Sequence, residues 1–318
     1  MRYLSTTIFA TTMLSSATIS AQADVYVVTS IKPIHSLVSA VMQGVGEPSL
    51  LIDGAGSPHN YSLKPSQAKE LQKANLIFWI GHDLEAFLES SIENIAPQAV
   101  SVPLMKSHGI KTLPFREGAS FDAHDHDHDK HEEHDHDKHD EHDHGEFDPH
   151  VWLDPNNAKI LVAEIEEQLT KVYPKHADAF ANNANTITKE IDALIDEINI
   201  ELTDVKSKGY IVFHDAYQYF ERRFDMSAVG SVTVSPEVMP GANRIRKLQQ
   251  KVKRLEAICV FSEPQFEPKL VSTITENTRA GSGVLDPLGA AIEKGPQLYF
   301  KLIRNMALSL KECLTKHG

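Results

Sequence analysis

Residues 175–202 read KHADAFANNANTITKEIDALIDEINIEL. Ile187, Ile191, Leu194, Ile195, Ile198 and Leu202 fall on one stripe at i, i+3 and i+4 spacing, the mark of an amphipathic helix. At 1.5 Å per residue the stretch spans about 42 Å. A helix of that length is a stiff strut, unlike a Gly/Ser linker, and its apolar stripe is ordinary packing surface. On its N-terminal side Pro155–Lys171 is also helical, and Pro174 breaks that run.

Outward from the strut, the chain alternates on both sides. Val25–Ile31, Ser49–Ile52, Leu76–Ile80 and Val100–Pro103 read as strands, with helical stretches Ile34–Met42, Ser66–Lys73 and Leu84–Ile95 between them. After residue 208 the strands are Tyr210–Phe213, Ser227–Val232, Ala257–Phe261 and Val284–Asp286. The helices there are Asn243–Leu255, Pro268–Thr278 and Gln297–Leu314. Strand and helix in alternation argue for parallel sheets covered by helices. The expected fold is therefore α/β, with two lobes, each a parallel sheet flanked by helices. The first lobe is 24–173, the linker helix 174–206 and the second lobe 207–318.

The first residues read as a secretory signal. Arg2 gives a basic start, Ile8–Ile19 a short apolar run, and Ala21-Gln22-Ala23 a cleavage site, so the mature chain starts at Asp24. The apolar run falls short of the ~20 residues a spanning helix needs. The expectation is a soluble, exported, periplasmic monomer. Its net charge of −13 excludes nucleic acid and anionic membranes as partners. In an oxidising compartment the two cysteines, Cys259 and Cys313, read as a disulfide rather than as metal thiolates. That bridge would staple the last helix to the second sheet. Closing a loop this long stabilises the fold by about 4 kcal/mol in the chain-entropy model.

Residues 121–148 are low-complexity. They hold nine histidines (His124, His126, His128, His131, His134, His136, His139, His142 and His144), thirteen Asp or Glu and two Lys. Their net charge of −11 is most of the chain's total. The tract has almost no apolar residues and is expected to be disordered without a ligand. Imidazole and carboxylate both bind Zn²⁺, but selectivity needs fixed geometry. The tract therefore reads as an auxiliary collector of metal.

The main site is sought among the remaining histidines, in loops that follow strands, where α/β sheets build ligand sites. His59 lies in Gly56-Ser57-Pro58-His59-Asn60-Tyr61-Ser62-Leu63-Lys64-Pro65-Ser66. His150 lies in Asp148-Pro149-His150-Val151-Trp152-Leu153-Asp154-Pro155. His214 lies in Phe213-His214-Asp215-Ala216-Tyr217, and Asp286 in Leu285-Asp286-Pro287-Leu288-Gly289. Two ligands from each lobe would place one ion in the cleft between them. Glu237 and Glu263, which also follow second-lobe strands, are read as lying beside the ligands or at the surface.

Those four segments, in that order, resemble the signature segments of the metal-binding solute receptors of ABC transporters, and most closely the ZnuA-type zinc branch. The resemblance covers essentially the whole mature chain. The His/Asp tract and the cysteine pair also resemble the zinc branch. The resemblance implies a non-enzymatic receptor that captures Zn²⁺ as its transported ligand and delivers it to a membrane permease. It implies that His59, His150 and His214 bind the metal. Asp286 matches a carboxylate that is a ligand in the manganese branch. In some zinc receptors the fourth position is water or a Glu just before the first His, which here is Pro58. The fourth ligand is therefore Asp286 or water.

Imidazole-rich sites favour zinc over manganese, and binding should weaken as pH falls through about 6.5, because protonated His cannot ligate. The alternatives are a manganese or iron receptor of the same family, a periplasmic zinc buffer or adhesin, and a zinc hydrolase. A His₃ site with an open position is also the catalytic zinc pattern, but the chain has no H-E-x-x-H helix and no evident general base.

Overall fold

A computed structural model describes residues 25–116, 146–233, 241–254, 258–266 and 269–318. The predicted export segment, Glu237 and the nine tract histidines lie outside the described residues.

The first sheet is parallel, with strands β1 (Val27–Ile31), β2 (Ser49–Ile52), β3 (Leu76–Trp79) and β4 (Val100–Pro103) in the order β2-β1-β3-β4. Every residue of β1 and β3 is buried, as expected of central parallel strands covered on both faces. Helices α1 (Lys32–Val41), α2 (Pro65–Lys73) and α3 (Ala86–Ile95) connect the strands. Proline stands in the first turn of α1 and α2, where its missing N–H costs nothing.

Two long helices follow. In α4 (Pro155–Val172) the Asp154 side chain caps the N-terminus by accepting the Asn156 N–H at 2.8 Å. Helix α5 (Ala177–Glu201) buries Ile187, Ile191, Leu194 and Ile198 of the stripe read from the sequence, with Phe180 besides, while Ile195 is half-buried. It packs against α4, α1 and the C-terminal helix, so it is a wall of the core as well as a connection.

The second sheet repeats the first. Strands β5 (Tyr210–Val212), β6 (Ala228–Ser231), β7 (Cys259–Ser262) and β8 (Gly281–Val284) are parallel in the order β6-β5-β7-β8. Helices α6 (Gln218–Phe224), α7 (Ala242–Arg254), α8 (Lys269–Thr275) and α9 (Leu298–His317) accompany them. The strand expected at Val284–Asp286 lies earlier, so Asp286 sits in the loop beyond β8. Cys259 of β7 and Cys313 of α9 form the expected disulfide. Among the described residues no helix is long and apolar enough to cross a membrane.

One apolar cluster runs from the first sheet through α4 and α5 to β5, β7 and α9. Hydrogen bonds cross between the halves. The Trp152 indole donates to Pro287 O at 2.9 Å and Tyr299 OH donates to Trp152 O at 2.9 Å. Lys32 Nζ donates to Ala290 O and Ile292 O. Arg223 pairs with Asp154, and Arg116 with Asp215 and Glu221.

Candidate metal centre

Three loops converge between the sheets. His59 stands on a single 3-10 turn, Pro58–Asn60, after β2. Tyr61 OH accepts a hydrogen bond from Gln67 Nε2 at 2.8 Å, and Gln67 also donates to Leu51 O, which ties this loop back to β2. A Cβ at residue 56 would lie 2.9 Å from the half-buried Tyr61 ring, so a larger residue here would displace that ring. His150 precedes a second 3-10 turn, Val151–Leu153, and is buried. His214 follows β5 and is buried. The second sheet reverses its direction of growth between β5 and β7, and such a switch point opens a crevice at the strand ends. His214 stands at one side of it, and Glu263, after β7, at the other.

The ring centroids are 5.4 Å apart for His59–His150, 5.8 Å for His59–His214 and 5.2 Å for His150–His214. One ligand nitrogen from each lies within 4.8 Å of the others, and this is the only such group of three among the described residues. The Nε2 atoms of His150 and His214 are 3.4 Å apart. Two nitrogens at tetrahedral positions, each about 2.0–2.1 Å from a zinc ion, are about 3.3–3.4 Å apart. The spacing therefore already fits one edge of a zinc tetrahedron. Pro58, Trp152, Phe266, Pro287 and Leu288 wall the trio with apolar surface.

His150 Nδ1 lies 2.6 Å from Asp148 Oδ1, and His214 Nδ1 lies 2.7 Å from Glu263 Oε1. Burial, together with the charge of His214, holds the pKa of His150 well below the usual imidazole range. Burial also acts to lower that of His214, but the charge and hydrogen bond of Glu263 outweigh it and raise the value. Burial pushes the Asp148 carboxyl up to about 7, against the His150 N–H and the Gln218 amide. The Nε2 atoms of His150 and His214 face each other across the space that a divalent ion would share.

Asp286 stands outside the trio. Its carboxylate accepts the N–H groups of Leu288 at 3.1 Å, Gly289 at 2.9 Å and Ala290 at 2.6 Å, and the Gln265 amide at 3.2 Å. It thereby shapes the loop whose Pro287 and Leu288 wall the site. Asp148 and Gln218 escaped the sequence reading as site residues. The Asp-x-His spacing in Asp148-Pro149-His150 was the available signal for Asp148.

A family model described as "Zinc-uptake complex component A periplasmic", ZnuA, matches residues 27–313. The chain is 53% identical over 306 residues to the high-affinity zinc uptake system protein ZnuA of Brucella suis, covering 91% of this chain and 92% of that protein. It is 37% identical over 310 residues to the protein of the same name from Haemophilus ducreyi, covering 98% and 99%. A crystal structure of ZnuA superposes with a TM-score of 0.75 at 23% identity, covering 91% of this chain and 99% of that one.

Proposed function

The chain belongs to the ZnuA family, and on that premise we propose that His59, His150 and His214 jointly hold the Zn²⁺ that the protein receives and passes on. The protein is a periplasmic zinc receptor of an ABC import system, and its partner is the membrane permease. The observation that carries the ligand assignment is the convergence of three imidazoles from both halves, two of them with nitrogens 3.4 Å apart. The four donors already taken by Asp286 support water as the fourth ligand. An ion held by neutral imidazoles and water can leave by ligand exchange, as a cargo must.

The reading takes 1–23 as the export signal, cleaved after Ala23, and 24–173, 174–206 and 207–318 as lobe, linker helix and lobe of a monomer. It assigns no catalytic step. The tract histidines 124–144 act as a collector that supplies the ordered site. The test is zinc content after mild chelation, comparing wild type, His59→Ala and a deletion of residues 122–146. Wild type and the deletion should each keep one tightly held ion. His59→Ala should lose it, with affinity down by more than about 100-fold, beyond the usual cost of losing an outer partner. Equal retention by His59→Ala would contradict the assignment. The collector role fails if the deletion leaves affinity, capture rate and transfer all unchanged.

A further inference from the structure

Two carboxyl groups behind the imidazoles are buried within the core range. Asp148 is 0% exposed and Glu263 2%. Asp and Glu are almost never buried so fully without a specific partner. Each has one, and in both cases it is the Nδ1 side of a site histidine.

The Asp148 contacts fix the direction of its bond. Oδ1 accepts the backbone N–H of His150 at 2.9 Å, and Oδ2 accepts the Gln218 side-chain amide at 2.7 Å. Both donors can only donate. Asp148 therefore acts as acceptor, His150 Nδ1 carries hydrogen, and the lone pair of the neutral ring is on Nε2, which faces His214. Glu263 holds His214 Nδ1 from the other half, at the end of the neighbouring strand β7, through Oε1, which also accepts the His214 N–H at 3.4 Å. Neither ring can turn its other nitrogen toward the site without giving up a buried hydrogen bond. A carboxyl on Nδ1 also makes the opposite nitrogen a stronger donor to a metal.

Resting on the three-imidazole reading above, we propose that Asp148 and Glu263 are positioning residues that set the zinc affinity of the site, by holding Nδ1 of His150 and His214 so that both rings present Nε2 to one ion. The two carboxyls come from opposite sides of the cleft, so each half brings its own pre-oriented ring. Supporting contacts of this kind hold a metal site within the narrow geometry it needs.

The test uses the full chain with Asp148→Asn, Glu263→Gln, Glu263→Leu and His59→Ala. Zn²⁺ affinity is measured by competition with a chromophoric chelator, and ligand geometry by the visible absorption of bound Co²⁺. Asp148→Asn and Glu263→Leu should each weaken zinc binding by about 10–100-fold and alter the Co²⁺ band. Asp148→Asn must set its NH2 against the Gln218 amide or against His150, because both Asp148 oxygens accept. Glu263 accepts from His214 through Oε1 alone, so Glu263→Gln keeps that oxygen and its loss should be smaller, about tenfold. The metal-free melting temperature shows which variants fold, and the near-isosteric Asp148→Asn and Glu263→Gln decide the matter if Glu263→Leu does not. Wild-type affinity with an unchanged Co²⁺ spectrum in those two overturns the inference. If His59→Ala also binds as wild type, the three-imidazole reading itself falls. If His59→Ala alone loses zinc, only the positioning role falls.

Discussion

Glu85 is fully buried behind β3, where its Oε2 accepts the N–H groups of Ile80 at 2.9 Å and Gly81 at 3.0 Å. Burial pushes its carboxyl from 4.5 up to about 7, against hydrogen bonds from Ser30, Gly81 and Ile80. The folded protein thus holds this proton more tightly than the unfolded chain does. Glu85 imposes no such penalty below pH 4.5, and stability falls as pH rises from there to about 7, by on the order of 3 kcal/mol. Glu85→Gln keeps an oxygen for both N–H groups and cannot ionise. Urea unfolding of the metal-free proteins should show it equal to wild type near pH 4.5 and more stable at pH 8; a constant difference across that range would contradict this. Nothing in the sequence around Glu85 announces such burial. The three site histidines were legible because Pro58-His59-Asn60-Tyr61, Asp148-Pro149-His150 and Phe213-His214-Asp215 are loop segments with a family signature. Their Nδ1 partners were only partly so: Asp148 had its Asp-x-His spacing and Glu263 its place after a strand, but the pairing of Glu263 with His214 forms only in folded space, across 49 residues of chain.

At the scale of elements, the disulfide links β7 to α9 across a sequence separation of 54 residues. Replacing Cys259 and Cys313 together by Ala should lower unfolding free energy by about 2–4 kcal/mol and leave the ordered metal site intact, since neither sulfur lies near it. Denaturant unfolding with a parallel zinc titration checks both halves of that statement; a lost zinc site would contradict it. Helix α5 was legible from its stripe alone. Strand β8 was placed three residues late, because Gly281-Ser282-Gly283 lacks the branched and aromatic residues that mark strands. Packing requires the second of those glycines: a Cβ on Gly283 would lie 2.5 Å from the ring of the buried Phe261. Helix α6 went unread because seven residues without a side-chain cap give too little periodicity. Yet it carries Gln218, Tyr219 and Glu221, which tie Asp148, Leu113 and Arg116 to the second half.

For the whole molecule, the sequence pointed to two lobes on a strut, and the structure adds that one apolar cluster is continuous through both, with a second cluster confined to the second half. That continuity depends on contacts between residues more than 100 positions apart, such as Trp152 with Pro287 and Lys32 with Ala290, which no local pattern records. With buried hydrogen bonds and apolar packing across the interface, zinc should rearrange loops rather than close a hinge. Solution scattering of metal-free and zinc-loaded protein should give nearly superimposable profiles, and a large fall in radius of gyration would contradict this. The central claim is that imidazoles from both halves grip one ion. Zinc-edge X-ray absorption tests it most directly, on a chain lacking residues 122–146 and loaded with one equivalent of zinc. The expected spectrum shows three imidazoles bound through nitrogen at about 2.0–2.1 Å with a light fourth neighbour; a spectrum with one imidazole or none, or with sulfur, would contradict the account.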